Sequence, residues 1–224
     1  MIKEIVYFVW YGPRVGRKQS TLGRADFLTW LSNEVDGTGL GDLRQELADG
    51  LRGDVLEVGT GSGAMFRRYG QDVRLTAIEP DDEFRAAAEL AAPDAAASIN
   101  VLPGTAEALP AGDGSMDAVV ASMVLCSVQS VPATLAEFTR VLKPGGQLRL
   151  LEHVRSDRSV SGVLMDVFNP IWLRLNQMGC NWNRRTVEAV RGAGFRVESV
   201  TEYKLFTPAV PAAFPWRLIK AAKS

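Results

Sequence analysis

The sequence predicts an α/β fold: a mostly parallel sheet covered on both faces by helices, with an antiparallel last strand and an N-terminal helical cap. Three observations predict it. From Asp54 onward, short β-branched or aliphatic runs alternate with helical patterns, as expected for strands buried on both faces. Ahead of that point, roughly fifty residues carry helical spacing. After Gly194, two strand-like runs are separated by a proline-containing turn, and such a pair is more easily joined antiparallel than by a crossover helix.

The elements follow in order. Ile2, Ile5, Val6, Val9 and Trp10 form one stripe at helical spacing, a short amphipathic segment. A polar, glycine-containing piece runs from Gly12 to Thr21. A helix with Phe27, Leu28 and Leu31 on one side comes next and breaks around Asp36-Gly37-Thr38-Gly39. A second helix, Asp42–Leu51, places Leu43, Leu47 and Leu51 on one face. Strands are predicted at Val55–Val58, Arg74–Ile78, Ile99–Leu102, Met116–Ser122 and Gln147–Glu152. Between them fall a short helix at Ala64–Tyr69, an alanine-rich one at Asp82–Ala92, barely a turn at Ala106–Leu109, and a helix at Ala133–Leu142 stopped by Lys143-Pro144-Gly145-Gly146. A long apolar helix over 157–178, a helix at Arg184–Ala193 and strands at Arg196–Phe206 and Trp216–Ala222 complete the chain. The expected organisation is one domain, residues 1–52 forming the cap and 53–224 the core.

The 224 residues include 25 Lys+Arg against 26 Asp+Glu, one histidine and two cysteines. A net charge of −1 offers no attraction to a phosphate polyanion or an anionic lipid surface, so nucleic acid and membranes are not expected partners. No apolar run approaches the ~18–20 residues that cross a bilayer, and no signal peptide is evident; the expectation is a cytoplasmic protein. With His153 the single histidine and only Cys126 and Cys180 beside it, no zinc-finger spacing and no HExxH exist. That excludes a His/Cys-rich metal site, though not a carboxylate one.

Val55-Leu56-Glu57-Val58-Gly59-Thr60-Gly61-Ser62-Gly63 is a strand, three alternating glycines and a helix start. Such a loop removes side chains so that a nucleotide-like ligand can lie against backbone N–H groups. The acid that would take the ribose hydroxyls belongs at the end of the next strand, and Glu79 stands there. The glycine pattern alone also satisfies a dinucleotide fingerprint. Glu57 tilts the choice: a carboxylate two residues before the first glycine repels a pyrophosphate but attracts an amino group and a sulfonium, as in S-adenosyl-L-methionine. The bland alternative is that Glu57 caps the loop. A short-chain dehydrogenase is disfavoured further, because none of Tyr7, Tyr11, Tyr69 and Tyr203 has a lysine four residues later.

From about Asp42 to Ala222 the chain resembles the class I S-adenosylmethionine-dependent methyltransferases, through VLEVGTGSG (55–63), AIEP (77–80), GTAEALP (104–110), SMDAVV (115–120) and VLKPGG (141–146). DGSMDAVVASMVLCSVQS (113–130), LEHV (151–154) and MGCNWNRRT (178–186) are similar to the branch that includes the thiol methyltransferases. The resemblance implies a Rossmann-like, seven-stranded sheet. It also implies that Gly59, Thr60 and Gly61 hold the methionine part near Glu57, that Glu79 binds the ribose, and that Pro80 flanks adenine. Thr105, Ala106 and Glu107 would lie at the adenine edge, and Ser122 to Leu125 near the sulfonium. Thr105 departs from the Asp that many relatives carry, so a backbone carbonyl or a water would take the adenine amine there.

Methyl transfer from a sulfonium is an in-line displacement on an already activated carbon, and positioning supplies much of the catalysis. A thiol with a pKa near ~8.5 needs only modest help to react, whereas an alcohol needs a base. His153, after the fifth strand, is the candidate base; otherwise it orients a loop. Cys126 reads as a small core residue, Cys180 as part of a turn, and Arg184 and Arg185 as a solvated helix start. The 160–175 helix and the aromatics Tyr7, Phe8, Trp10 and Tyr11 either fill the core or roof a pocket for a hydrophobic small-molecule methyl acceptor. The expected activity is methylation of that molecule, with a thiol favoured and oxygen, nitrogen or carbon open. The alternatives are an NAD(P)-dependent oxidoreductase and a non-catalytic nucleotide-binding module.

Overall fold

The computed structural model describes residues 14–175, 179–207 and 210–224. The amphipathic stripe over Ile2–Trp10 and the aromatics Tyr7 to Tyr11 lie outside the described residues. Residues 14–21, read as a polar connector, are helical. Helix α1, Arg24–Val35, runs into a π-helical turn, Asp36–Leu40, and then α2, Gly41–Ala48. The expected break at Asp36–Gly39 is therefore a kink within continuous helical chain. Gly39 provides it at φ 101, a left-handed value that glycine adopts without a Cβ penalty.

The remaining elements are β1 (Gly53–Val58), β2 (Val73–Ile78), α3 (Asp82–Ala91), β3 (Ser98–Leu102), β4 (Met116–Ser122), α4 (Val131–Val141), β5 (Leu142–His153), α5 (Ser159–Leu175), α6 (Thr186–Gly192), β6 (Phe195–Thr207) and β7 (Val210–Lys223). The seven strands form one sheet in the order β3-β2-β1-β4-β5-β7-β6. The first five pair in parallel, and β7 inserts antiparallel between β5 and β6, as expected for strands joined by a short turn. β7 begins earlier than its predicted start at Trp216, because antiparallel pairing with β6 carries the strand past Pro211 and Pro215.

The sheet separates two apolar layers. On one side Leu135, Phe138 and Val141 of α4 and Val187 and Val190 of α6 meet Leu56, Val119, Leu148 and Ile219. On the other, Leu40, Leu43, Leu47 and Leu51 meet Val55, Leu75, Val120 and Leu218, which bears out the one-face spacing of the leucines. Arg149 of β5 donates to the carbonyls of Leu47 and Asp49 at 3.1 and 2.6 Å, satisfying the end of α2. Asp36 sits between Arg44 and Arg68, both at 2.6 Å and all three side chains under 10% exposed, so the N-terminal helices are locked to the turn behind the glycine loop. The start of α1 is tied to the start of α3: Arg24 pairs with Asp81 at 2.6 Å, and the Ala25 N–H donates to Glu83 at 2.8 Å.

Candidate active site

The parallel strands end on one edge of the sheet, and the crevice outside that edge is where open α/β sheets take ligands. β1 leads into the glycine loop there. The Gly59 and Thr60 N–H groups donate to the Ile78 carbonyl at 2.8 and 3.1 Å, stitching the loop to the end of β2. Glu79 completes the stitch: one carboxylate oxygen accepts from the Gly61 N–H at 2.8 Å and the other from the Asp81 N–H at 3.1 Å. It is 6% exposed, and burial raises its pKa against those hydrogen bonds. Pro80 follows it at the surface.

Gly59 needs to be glycine for closeness to β4 as well as for its φ of +67: a Cβ there would stand 2.7 Å from Val124. A Cβ on Gly61, at φ +57, would stand 3.2 Å from Leu28, so α1 overhangs the loop. The loop does not open into the helix expected at Ala64–Tyr69. Turns and a single 3₁₀ turn, Phe66–Arg68, replace it, because Gly63 at φ +81 has the Phe66 ring folded against it.

Glu57 is buried beneath this loop, where one oxygen accepts from the Thr60 hydroxyl at 2.7 Å. Its second oxygen has no hydrogen-bond partner among the described residues. Burial pushes its pKa up to about 7, with the Thr60 and Tyr69 hydroxyls and the Arg44 and Arg68 charges pulling less strongly downward. Its visible contacts are thus with the loop and the layer below.

After β3, Thr105 is exposed and its carbonyl accepts from the Ala108 N–H at 3.2 Å, while the Ala106 side chain packs into the core. Glu107 accepts from the Gln129 and Ser130 N–H groups at 2.8 and 3.2 Å, joining this turn to the start of α4.

The ends of β4 and β5 carry the densest chemistry. Ser122 closes β4 with its buried hydroxyl unpartnered among the described residues. Met123 follows at φ 63, an uncommon value for a residue with a Cβ. The strain is held by Glu152, whose Oε1 accepts from the Val124 and Leu125 N–H groups at 2.8 and 3.0 Å. Glu152 is fully buried, its Oε2 has no partner among the described residues, and burial pushes its pKa up to about 7. The sequence reading passed over it; an acid ending an apolar strand, as Glu57 does, was the available signal. The Leu125 side chain is fully buried in the core, so its backbone is the part that turns toward the crevice.

His153 lies next to Glu152, its ring edge-on to Trp216 at 5.7 Å. Its Nε2 stands 2.7 Å from Cys180 Sγ, and its Nδ1 has no hydrogen-bond partner among the described residues. Burial pulls the imidazole pKa down, but the neighbouring Cys126 and Glu152 raise it by more. Cys126 is buried, its thiol pushed well up by Cys180 and by burial. One ligand-type atom from each of Cys126, His153 and Cys180 lies within 4.8 Å of the others. The argument from spacing against a His/Cys cluster fails here: three separate loops supply the groups.

Asn181 holds that cluster's third member in place, its backbone and side-chain N–H groups donating to the Cys126 carbonyl at 2.8 and 3.2 Å. Arg184, read as solvated, is half-buried and donates to the Val128 carbonyl at 3.0 Å; Arg185 is exposed as expected. Helix α5 turns Met165 and Asn169 inward, and Asn169 bonds Asn181 at 3.0 Å. Most of its apolar residues do not fill the core: Val160, Val163, Leu164, Val167, Phe168 and Ile171 are exposed. The apolar spacing is real, but the face it marks points to solvent.

The expected sulfonium nucleoside fits this edge. The loop offers glycine backbone at residues 59, 61 and 63, Glu79 stands at the end of β2, and Ser122 Oγ, Glu152 Oε2 and His153 Nδ1, at the ends of the neighbouring strands β4 and β5, are buried polar atoms unpartnered among the described residues.

Comparison with known proteins agrees. The family model described as "Methyltransferase domain" matches residues 56–150. Human thiol S-methyltransferase TMT1A is 33% identical over 174 residues, covering 74% of this chain and 66% of that protein. Human thiol S-methyltransferase TMT1B is 37% identical over 147 residues, covering 63% and 59%. The chain thus spans somewhat less than two thirds of the length of these curated relatives. Among solved structures, the YcgJ protein of Bacillus subtilis superposes with a TM-score of 0.66 at 17% identity, covering 81% of this chain and 97% of that one. A geranyl diphosphate methyltransferase in complex with SAM superposes with a TM-score of 0.60 at 15% identity, covering 84% and 85%. At such identities these two structures speak for the fold alone.

Proposed function

The chain belongs to the S-adenosylmethionine-dependent methyltransferases, and from that premise we propose that it methylates a small, hydrophobic thiol. The observation that carries the reading is the glycine-rich loop after β1 together with the unpartnered buried polar atoms of Ser122, Glu152 and His153 where the neighbouring strands β4 and β5 end. A thiol is favoured over oxygen, nitrogen or carbon by the names of the relatives at 33% and 37% identity. When bound, the cofactor supplies a methyl group activated by the positive charge on its sulfur.

The chain's own residues divide the remaining work. Gly59, Thr60 and Gly61 set the backbone against the methionine portion, and the Glu57 carboxyl beneath them braces the loop through the Thr60 hydroxyl. Glu79 accepts from the ribose hydroxyls, while Pro80, Thr105, Ala106 and Glu107 border the base. Ser122 and the Leu125 backbone edge the reacting end, and His153, at the end of the adjacent strand β5, meets the acceptor there.

Titration with S-adenosylhomocysteine, and separately with NAD, tests the cofactor; tight NAD binding with none for S-adenosylhomocysteine would reject the reading in favour of an oxidoreductase. Glu79→Gln, which keeps an acceptor for Gly61, should weaken S-adenosylhomocysteine binding by about tenfold, since hydrogen bonds to a charged group contribute ~1.5–3 kcal/mol. An unchanged dissociation constant removes Glu79 from the site. Incubation with labelled donor and a panel of thiols, phenols and amines identifies the acceptor atom, and no transfer to any of them would favour a non-catalytic module. His153→Ala should lower turnover while leaving cofactor affinity within about twofold.

A further inference from the structure

We propose that Cys126, His153 and Cys180 form a three-ligand zinc site whose open fourth position takes the acceptor as its thiolate. The site stands on geometry of its own; the class of molecule in the fourth position rests on the thiol reading above.

The three groups come from the turn after β4, the last residue of β5 and the loop after α5, and their ligand atoms fall within 4.8 Å of one another. Ligands on one tetrahedral zinc, at ~2.3 Å for sulfur and ~2.0–2.1 Å for nitrogen, stand about 3.6–3.8 Å apart. The cluster is therefore the right size. His153 Nε2 and Cys180 Sγ, now 2.7 Å apart, need open by only about 1 Å, within the reach of a side-chain rotation.

Each segment is held independently. Glu152 fixes the backbone just before Cys126 through two buried N–H groups. The β5–β7 ladder fixes His153 opposite Trp216. Asn181 fixes Cys180 by donating to the Cys126 carbonyl. Ligands positioned by a supporting layer of hydrogen bonds are what a metal centre requires.

The donor set also selects the metal and its work. Two thiolates and an imidazole suit zinc, and two thiolates balance its charge, which a buried site favours. Three protein ligands with one open position is the arrangement of catalytic rather than structural zinc. An incoming thiol would lose its S–H bond and gain a metal–sulfur bond, its proton passing to solvent with the departing water, and would be held as thiolate beside the loop that ends β1. His153 then serves as a ligand rather than as a base. Loss of turnover in His153→Ala fits both roles, and only metal content separates them.

The test uses the untagged 224-residue chain, purified under reducing conditions, given equimolar zinc and dialysed. Elemental analysis should find about one zinc per chain, falling roughly tenfold in Cys126→Ser and in Cys180→Ser, with S-adenosylhomocysteine affinity retained. Should either variant fail to fold, cobalt(II) in the wild-type protein gives a second readout: thiolate-to-cobalt charge-transfer absorption, shifting when a small thiol is added. A wild-type chain that binds S-adenosylhomocysteine but retains no zinc overturns the metal site and leaves the methyltransferase reading standing. Zinc retained by a chain that binds no S-adenosylhomocysteine upholds the site and overturns that reading. Zinc retained equally in both cysteine variants places the metal elsewhere and overturns the proposal.

Discussion

Glu57 holds a proton in the folded protein over a range where an ordinary glutamate has lost it. Burial carries its pKa from 4.5 to about 7, and the Thr60 and Tyr69 hydroxyls and the Arg44 and Arg68 charges do not cancel that. Between those values the native state binds more protons than the unfolded chain. The contribution is therefore fully present below pH 4.5 and is lost as pH rises through 7. Its size is on the order of 3 kcal/mol. Urea unfolding at pH 5 and pH 8 should show a smaller loss of stability across this interval in Glu57→Gln than in the wild type. Equal losses would mean that Glu57 is ionised in the fold. The two acids, Glu57 and Glu79, were legible because each stands at the end of an aliphatic run. Glu152 obeys the same rule, but its task became visible only with the Val124 and Leu125 N–H groups of the turn after β4 in view.

Elements are joined at the glycine loop by close approach. β1 and β4 run parallel with Val58 beside Ala121, and the chains beyond them meet where Gly59 faces Val124. Gly59→Ala should destabilise by about 2–3 kcal/mol, part from positive φ and part from the 2.7 Å contact of its Cβ with Val124. Adding Val124→Ala should recover the steric part, leaving a coupling of at least about 0.5 kcal/mol in the double-mutant cycle measured by thermal unfolding. A cycle that closes additively would show that backbone strain alone sets the cost. Met116–Ser122, whose Ala118–Ala121 run is buried, matched its predicted bounds, whereas β5 begins at Leu142 rather than Gln147 because pairing with Met116 carries it through Lys143-Pro144-Gly145-Gly146. Ala64–Tyr69 misled, because its composition suits a helix while the Phe66 ring against Gly63 folds it into turns. Helix α5 misled in the other sense: its apolar spacing is present, but only the Met165 and Asn169 side reaches the body of the protein.

For the whole molecule, the question is what keeps the N-terminal helices on the sheet. Asp36 answers part of it, bridging Arg44 of α2 and Arg68 behind the glycine loop. Asp36→Ala would leave two buried guanidinium groups without their anion, a change that costs about 3–5 kcal/mol, and should open residues 14–48 to limited proteolysis ahead of the core. Cleavage at the wild-type rate would show the leucine face of α2 to be sufficient by itself. The order of strands and helices, the glycine loop and the acids beside it were determined by the sequence alone, because hydrophobic period, turn chemistry and strand-end position are properties of neighbouring residues. The meeting of Cys126, His153 and Cys180 was decided by the tertiary structure, because these residues stand far apart along the chain. The register of β4 against β5 brings the Cys126 turn beside His153, and the Asn181 bonds to the Cys126 carbonyl bring Cys180 to them.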